Sequence, residues 1–286
     1  MMNFITMTRR YFMTRRSVLL RNLFFLGVLT TTVWTAPPVQ AQPETLTIAA
    51  ANSLRDVFRK VLPLFEAQHR EINVRVIYGP SQTLRNQIEQ GAPVDVFLPS
   101  LFEEIEQLEK KGLIIQGTRR TYAGTSLVLI TGTTFPAPIA SIQDLKTVPI
   151  RRIAVGDPKS SSVGKVAAQF LKYNNLDSQL KSQYVFGEHS RAVLDLVAKG
   201  EAEVGVVYRT DAASNTKVRI LDTAQADSHT PVRYGVAAVW TAKNISGAED
   251  FIAFLLTPPI QTVLQEYGFD QVSTEVGVAQ QEKVKP

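Results

Sequence analysis

Four short stretches of this chain place hydroxyls or bare backbone where a strand gives way to a helix. They are Ala49-Ala50-Ala51-Asn52-Ser53, Gly79-Pro80-Ser81-Gln82, Gly156-Asp157-Pro158-Lys159-Ser160-Ser161-Ser162-Val163-Gly164 and Gly187-Glu188-His189-Ser190. A helix start leaves N–H groups without intrahelical partners and carries about half a unit of positive charge, so it favours an anion. Several starts aimed at one point would hold a small oxyanion with neutral donors alone. That arrangement avoids the desolvation cost of burying a lysine or arginine beside the ligand. Taken singly, each stretch has a plainer reading. Ser53 and Ser81 sit where an N-cap belongs, Ser160 to Ser162 fit a cap with a polar turn, and Gly91 stops the helix that Ser81 would open. Tyr208 ends the apolar run Val204-Gly205-Val206-Val207 and by itself fits a core or rim aromatic. Four coincident junctions favour a ligand, although spacing alone does not prove that they converge.

The elements that must position these residues follow from hydrophobic periodicity. Short β-branched runs at 46–50, 74–78, 94–98, 126–131, 153–155, 184–186, 204–208 and 232–240 predict strands. Amphipathic helices are expected from 54 onward, where Pro63 should introduce a kink, and over 82–90, 102–111, 163–173, 191–198, 249–256 and 260–267. The helix over 102–111 is highly charged and is expected to face solvent. Strands and helices alternating in this way predict parallel α/β sheets, which bind ligands beyond the C-terminal ends of their strands. Two lobes are expected: 42–126 with 232–278, and 127–231. The first crossing should lie near the Pro-rich link 135–138, and a polar tail occupies 279–286.

Other chemistries find little support. The chain has no cysteine, and its three histidines, His69, His189 and His229, show no metal-ligand spacing. No nucleophile elbow, phosphate-binding glycine loop or dinucleotide fingerprint occurs. His189 and Ser190 are adjacent at a helix start, so their side chains diverge and do not make a catalytic pair. The expectation is a binding protein, not an enzyme, with no cofactor and no direct metal ligands.

The first 41 residues read as an export leader. Arg9, Arg10, Arg15, Arg16 and Arg21 form a basic region without acids, followed by a short apolar run and Pro37-Pro38-Val39-Gln40-Ala41, which predicts cleavage after Ala41. The Arg15-Arg16 pair leaves both the general secretory and the twin-arginine routes open, and the destination is the periplasm. Of the 31 Lys and Arg in the 286-residue chain, the leader holds five, so the mature chain carries 26 bases against 26 acids. The apparent pI of 9.4 belongs to the leader, and no nucleic-acid partner is implied.

Over about residues 46 to 268, the chain resembles the periplasmic molybdate-binding proteins of ABC importers, the ModA-type family. The likeness rests on AAANSL (49–54), SQTLRNQIEQGAPVDVFLPS (81–100), IAVGDPKSSSVG (153–164), GEAEVGVVYRTDA (200–212) and YGFD (267–270). It implies a type II periplasmic binding fold, two α/β lobes joined by a hinge that close over the ligand. It also implies a monomer that carries molybdate, and tungstate with it, to a membrane permease. By the same resemblance the oxyanion is held by the hydroxyls of Ser53, Ser81 and Tyr208 and by the backbone amides of Val163 and Ser190. Val163 stands where alanine is common and Ser190 where many relatives have valine, changes that need not remove an N–H. The same fold with sulfate or phosphate, a periplasmic enzyme, and the sensing domain of a transcription regulator are the rival readings.

Overall fold

The computed structural model describes residues 43–136, 138–213 and 215–271. The leader, its cleavage position after Ala41 and the tail 279–286 lie outside the described residues. In the first lobe, β1 (Glu44–Ala51) leads through a 3-10 turn at Asn52–Leu54 into α1 (Arg55–Gln68). Then come β2 (Ile72–Gly79), α2 (Ser81–Glu89), β3 (Val96–Leu98), α3 (Glu103–Lys110) and β4 (Arg120–Thr125). The second lobe runs β5 (Leu127–Gly132), β6 (Ile153–Gly156), α4 (Ser162–Tyr173), α5 (Asp177–Leu180), β7 (Tyr184–Gly187), α6 (Ser190–Ala198), β8 (Val204–Tyr208), α7 (Arg209–Ala213) and β9 (Val218–Thr223). The chain then returns to the first lobe with β10 (Val232–Ala238), α8 (Ile245–Leu255) and α9 (Pro258–Glu266).

The two sheets share one plan. Their strand orders are β2-β1-β3-β10-β4 and β7-β6-β8-β5-β9. In each, three strands run parallel and a strand from the other side of the crossover enters antiparallel: β10 against β3 and β4, β5 against β8 and β9. The sheets are therefore mixed, not purely parallel as the alternation predicted. The antiparallel strands arise because the chain changes lobe at Ser126 and again after β9, and each crossing strand docks against the run of the others. Of the Pro-rich link, Phe135, Pro136 and Pro138 are described and follow β5, already inside the second lobe.

Helices cover the sheets as their periodicity dictates. α1 buries Val57, Phe58, Val61 and Phe65, while Pro63 lies on its exposed side and does not end it. Phe251 of α8 packs edge-on against Phe58 and Phe65, with centroids 6.1 and 5.1 Å away, so the C-terminal helices complete the first lobe's core. Two strands escape the sequence pattern, β4 and β9. β4 mixes Arg, Thr and Gly, and β9 is an edge strand with an exposed outer face. Helix α3 corrects another expectation. Its charged face is not all in water, because Glu104 is buried and meets Arg85 Nε at 2.8 Å, while Ile105 and Leu108 join the core.

Candidate functional site

Six parallel strands, three from each lobe, end at one cleft. β1 delivers Asn52 and Ser53, β2 delivers Pro80 and Ser81, and β3 delivers Ser100. From the second lobe, β6 leads to Ser161, Ser162 and Val163, β7 to His189 and Ser190, and β8 ends at Tyr208 itself. These residues line a cavity of about 20 Å³, little more than the roughly 10–15 Å³ that a single water needs. Ser53, Ser81, Val163, Ser190 and Tyr208, named from the sequence, all lie in this one lining.

Close backbone packing brings the helix starts to the cleft. A Cβ on Gly164 would lie 2.5 Å from the Gly156 carbonyl oxygen, so only glycine lets the first turn of α4 settle on the end of β6. Gly187 repeats the device beneath α6, where a Cβ would stand 2.8 Å from the Val193 amide nitrogen. Val163 and Ser190 thereby line the cavity from the first turns of α4 and α6, where N–H groups have no intrahelical acceptor.

The serine side chains do not act as the helix caps that their positions suggested. Ser81 is the first residue of α2 and Pro80 occupies the cap position, with no side-chain capping bond. The Ser81 hydroxyl instead accepts the Ser100 N–H at 3.1 Å and lies 3.2 Å from Ser100 Oγ. Ser53 sits in the 3-10 turn, where its hydroxyl accepts from Tyr234 Oη at 2.9 Å. The caps that do form use other side chains: the His189 Nδ1 accepts the Ala192 N–H at 3.1 Å and starts α6. Because a hydroxyl can cap only from just outside the helix, a shift of one residue frees Ser81 and Ser190 for other bonds.

Ser100 also spans the cleft, with its Oγ 3.4 Å from Tyr208 Oη. Burial raises the Tyr208 phenol well above its ordinary range, so Tyr208 stays protonated and able to donate. Ser190 turns its hydroxyl inward, where it accepts the Tyr208 N–H at 3.0 Å and bonds the carboxyl of Asp211. Asp211 is buried, and burial pushes its carboxyl up to about 6 against the opposing pull of Ser190 and Arg191.

Among the described residues, no lysine, arginine or acid lines the cavity. Arg191 pairs with Asp56 and Lys165 meets Glu103 at 2.6 Å, both across the lobes, while Arg55 lies behind the lining, its guanidinium 3.5 Å from Asn52 Oδ1 and over the Tyr78 ring. Burial lowers the His189 imidazole, which keeps it neutral near pH 7, and its capping bond leaves Nε2 to carry the proton. Sequence reasoning missed Ser100 and Tyr234. Ser100 was legible as the residue after the third parallel strand, within Leu98-Pro99-Ser100. Tyr234 lies mid-strand and 181 residues from Ser53, and no local signal joins them.

The family model for bacterial extracellular solute-binding proteins matches residues 46–270. The molybdate-binding protein ModA of Haemophilus influenzae is 31% identical over 227 residues, covering 78% of this chain and 89% of that protein. Its Escherichia coli namesake is 31% identical over 234 residues, covering 78% and 88%. Among solved structures, the periplasmic molybdate-binding protein of Azotobacter vinelandii superposes with a TM-score of 0.71. At 21% identity, covering 79% of this chain and 99% of that one, it speaks for the fold alone.

Proposed function

We propose, from the premise that this chain belongs to the bacterial extracellular solute-binding protein family, that it captures molybdate, and tungstate with it, for an ABC importer. The observation that carries this reading is the lining of the cavity, where every polar group is a hydroxyl, an amide or a neutral imidazole. A small, fully deprotonated oxyanion asks for many donors and no acceptor, and such a lining supplies them without a buried countercharge. The relatives named for molybdate support the choice of anion. Tungstate is almost isosteric with molybdate and would fit the same donors.

In this reading Ser53, Ser81 and Tyr208 donate through their hydroxyls, and Val163 and Ser190 through their backbone N–H groups. Binding draws residues 42–126 with 232–278 onto residues 127–231, the crossings at 126 and 224–231 serving as hinge, because a ligand that touches both lobes favours the closed pair. The closed protein then delivers its cargo to the permease, with no covalent step, no cofactor and no nucleic-acid partner, as a monomer. The leader would be removed after Ala41 and the mature chain released to the periplasm by the general secretory or the twin-arginine route. Mass spectrometry of exported protein should find an N-terminus at Gln42, and a retained leader would contradict that part.

The test of the ligand is calorimetric titration of the mature chain with molybdate, tungstate, sulfate and phosphate. Molybdate and tungstate should bind with similar affinity and outcompete the other two. Tighter binding of sulfate or phosphate would assign the site to that anion instead, and absence of heat with all four would remove the oxyanion reading. Affinity should vary little with sodium chloride, because buried neutral donors are not screened as surface charges are within about 8–10 Å at ordinary ionic strength. A steep salt dependence would implicate Lys159 or Arg191.

A further inference from the structure

Tyr234 stands behind the cavity, wholly buried in β10, and its Oη donates to Ser53 Oγ at 2.9 Å. The ring is held in place by Tyr122, Tyr208 and Phe269, with centroids 6.3, 6.2 and 5.1 Å away, all in edge-to-face contact. Burial raises its phenol well above the ordinary range, so it remains a donor wherever the protein is folded near neutrality. A serine hydroxyl has one hydrogen, and an oxygen that accepts from behind is left to present that hydrogen forward. Ser81 receives the same treatment from the Ser100 N–H.

We propose that Tyr234 is a positioning residue of the anion site: it fixes Ser53 as a donor toward the cleft and thereby biases the cavity toward anions that carry no proton. This rests on the oxyanion reading above. A hydrogen phosphate brings a P–OH that needs an acceptor. For Ser53 to provide one, its own hydrogen would have to turn back toward the Tyr234 proton, hydrogen against hydrogen. With Tyr234 in place, the forward-facing hydroxyl favours molybdate and disfavours hydrogen phosphate by the same geometry.

The test is calorimetry with molybdate and with phosphate at about pH 8, on the wild type, Tyr234→Phe, Ser53→Ala, the double variant and Tyr122→Phe. Tyr234→Phe keeps the ring and should weaken molybdate binding about three- to tenfold, the usual worth of one hydrogen bond. Phosphate binding should hold or improve, so that the preference for molybdate falls. In the Ser53→Ala background the substitution should change nothing further, because Tyr234 acts through Ser53. Tyr122→Phe, which removes a buried hydroxyl without a hydrogen-bond partner among the described residues, should leave both anions unaffected. Equal losses for both anions, an effect that persists without the Ser53 hydroxyl, or unchanged molybdate binding would each overturn the proposal. If Tyr234→Phe does not fold, Ser53→Ala decides: it must cost molybdate more than phosphate, and equal costs reject the idea. A wild type that binds no tetrahedral oxyanion rejects the parent reading as well, whereas normal wild-type binding with an unaltered Tyr234→Phe rejects this inference alone.

Discussion

Ser81 and Ser190 look alike in the sequence, each a serine at a helix start, yet the structure gives their hydroxyls different partners. Ser81 Oγ meets Ser100, a second residue of the cavity lining, whereas Ser190 Oγ is spent on the Tyr208 N–H and the Asp211 carboxyl. Ser81→Ala should therefore weaken molybdate binding by about one to two decades, the cost of roughly 1.5–3 kcal/mol for a lost bond to a charged acceptor, and should also lower stability because the Ser100 N–H loses its acceptor. Ser190→Ala should leave the affinity of the folded protein nearly unchanged but lower its stability by about 1–3 kcal/mol, because a buried N–H loses its acceptor. Calorimetric titration paired with melts of the ligand-free forms separates the two; equal signatures would contradict the assignment. Protonation gives a second handle. Because Tyr208 is held protonated, affinity should stay flat from neutrality through mild alkalinity, and a loss near pH 9 would mean a less buried phenol. Asp211 works on stability instead: its folded pKa near 6 lies above the ordinary 3.8, so its contribution is fully present below about pH 4 and is lost as pH rises through 6. Across that window it should amount to about 3 kcal/mol, and Asp211→Asn should flatten the wild-type slope in pH-dependent unfolding.

At the scale of elements, the site is a set of strand ends. The run Val204–Tyr208 was readable because a wholly buried parallel strand is continuously apolar, and its observed bounds match its hydrophobic run. β4 was not readable, since Arg120, Thr121, Gly124 and Thr125 carry little β-branched or apolar signal and pair only because β10 arrives from over a hundred residues away. The same distance hid Tyr234 from Ser53, whereas Ser53, Ser81 and Tyr208 were visible because each follows or ends a strand. What local pattern could not give was the direction of each hydroxyl, which depends on donors from neighbouring elements. One element-level feature was legible in outline, the glycine at the start of α4. Gly164→Ala should force the helix off β6, since the added carbon would sit 2.5 Å from backbone on both Gly156 and Asp157. Overpacking of this kind costs about 1–3 kcal/mol. Because the displaced turn carries the Val163 N–H, molybdate affinity should fall along with the melting temperature. Alanine at Gly91, by contrast, meets no atom within 4 Å and is strained only by its φ of 87°, so it should lower stability without touching affinity. Intact binding in Gly164→Ala would show that α4 does not supply a donor.

For the molecule as a whole, the two lobes are joined by polar bridges among the described residues. Lys165 of α4 joins Glu103 of α3 at 2.6 Å, Arg191 of α6 joins Asp56 of α1, Arg209 of α7 joins Asp270, and Ser100 reaches Tyr208. A hinge that closes on a ligand must balance two demands. Without ligand the lobes must part readily, and with ligand they must stay together long enough to reach a permease. Surface ion pairs suit that balance, because each is worth only a fraction of the ligand's own contribution. The Lys165 and Glu103 side chains are 35% and 38% exposed, which limits their pair to roughly 0.2–1 kcal/mol after solvent screening. Glu103→Gln should therefore weaken molybdate binding about 1.5- to 5-fold, mainly by faster release, while the folded stability of the separate lobes stays unchanged. The effect should fade at high salt, where the wild-type pair is already screened. Small-angle scattering supplies the decisive measurement: ligand-free Glu103→Gln should be more expanded than ligand-free wild type at low salt, and the two should coincide once molybdate saturates them. A variant that binds and scatters like the wild type at low salt would show that this bridge plays no part in closure, and would leave the ligand itself as what holds the lobes together.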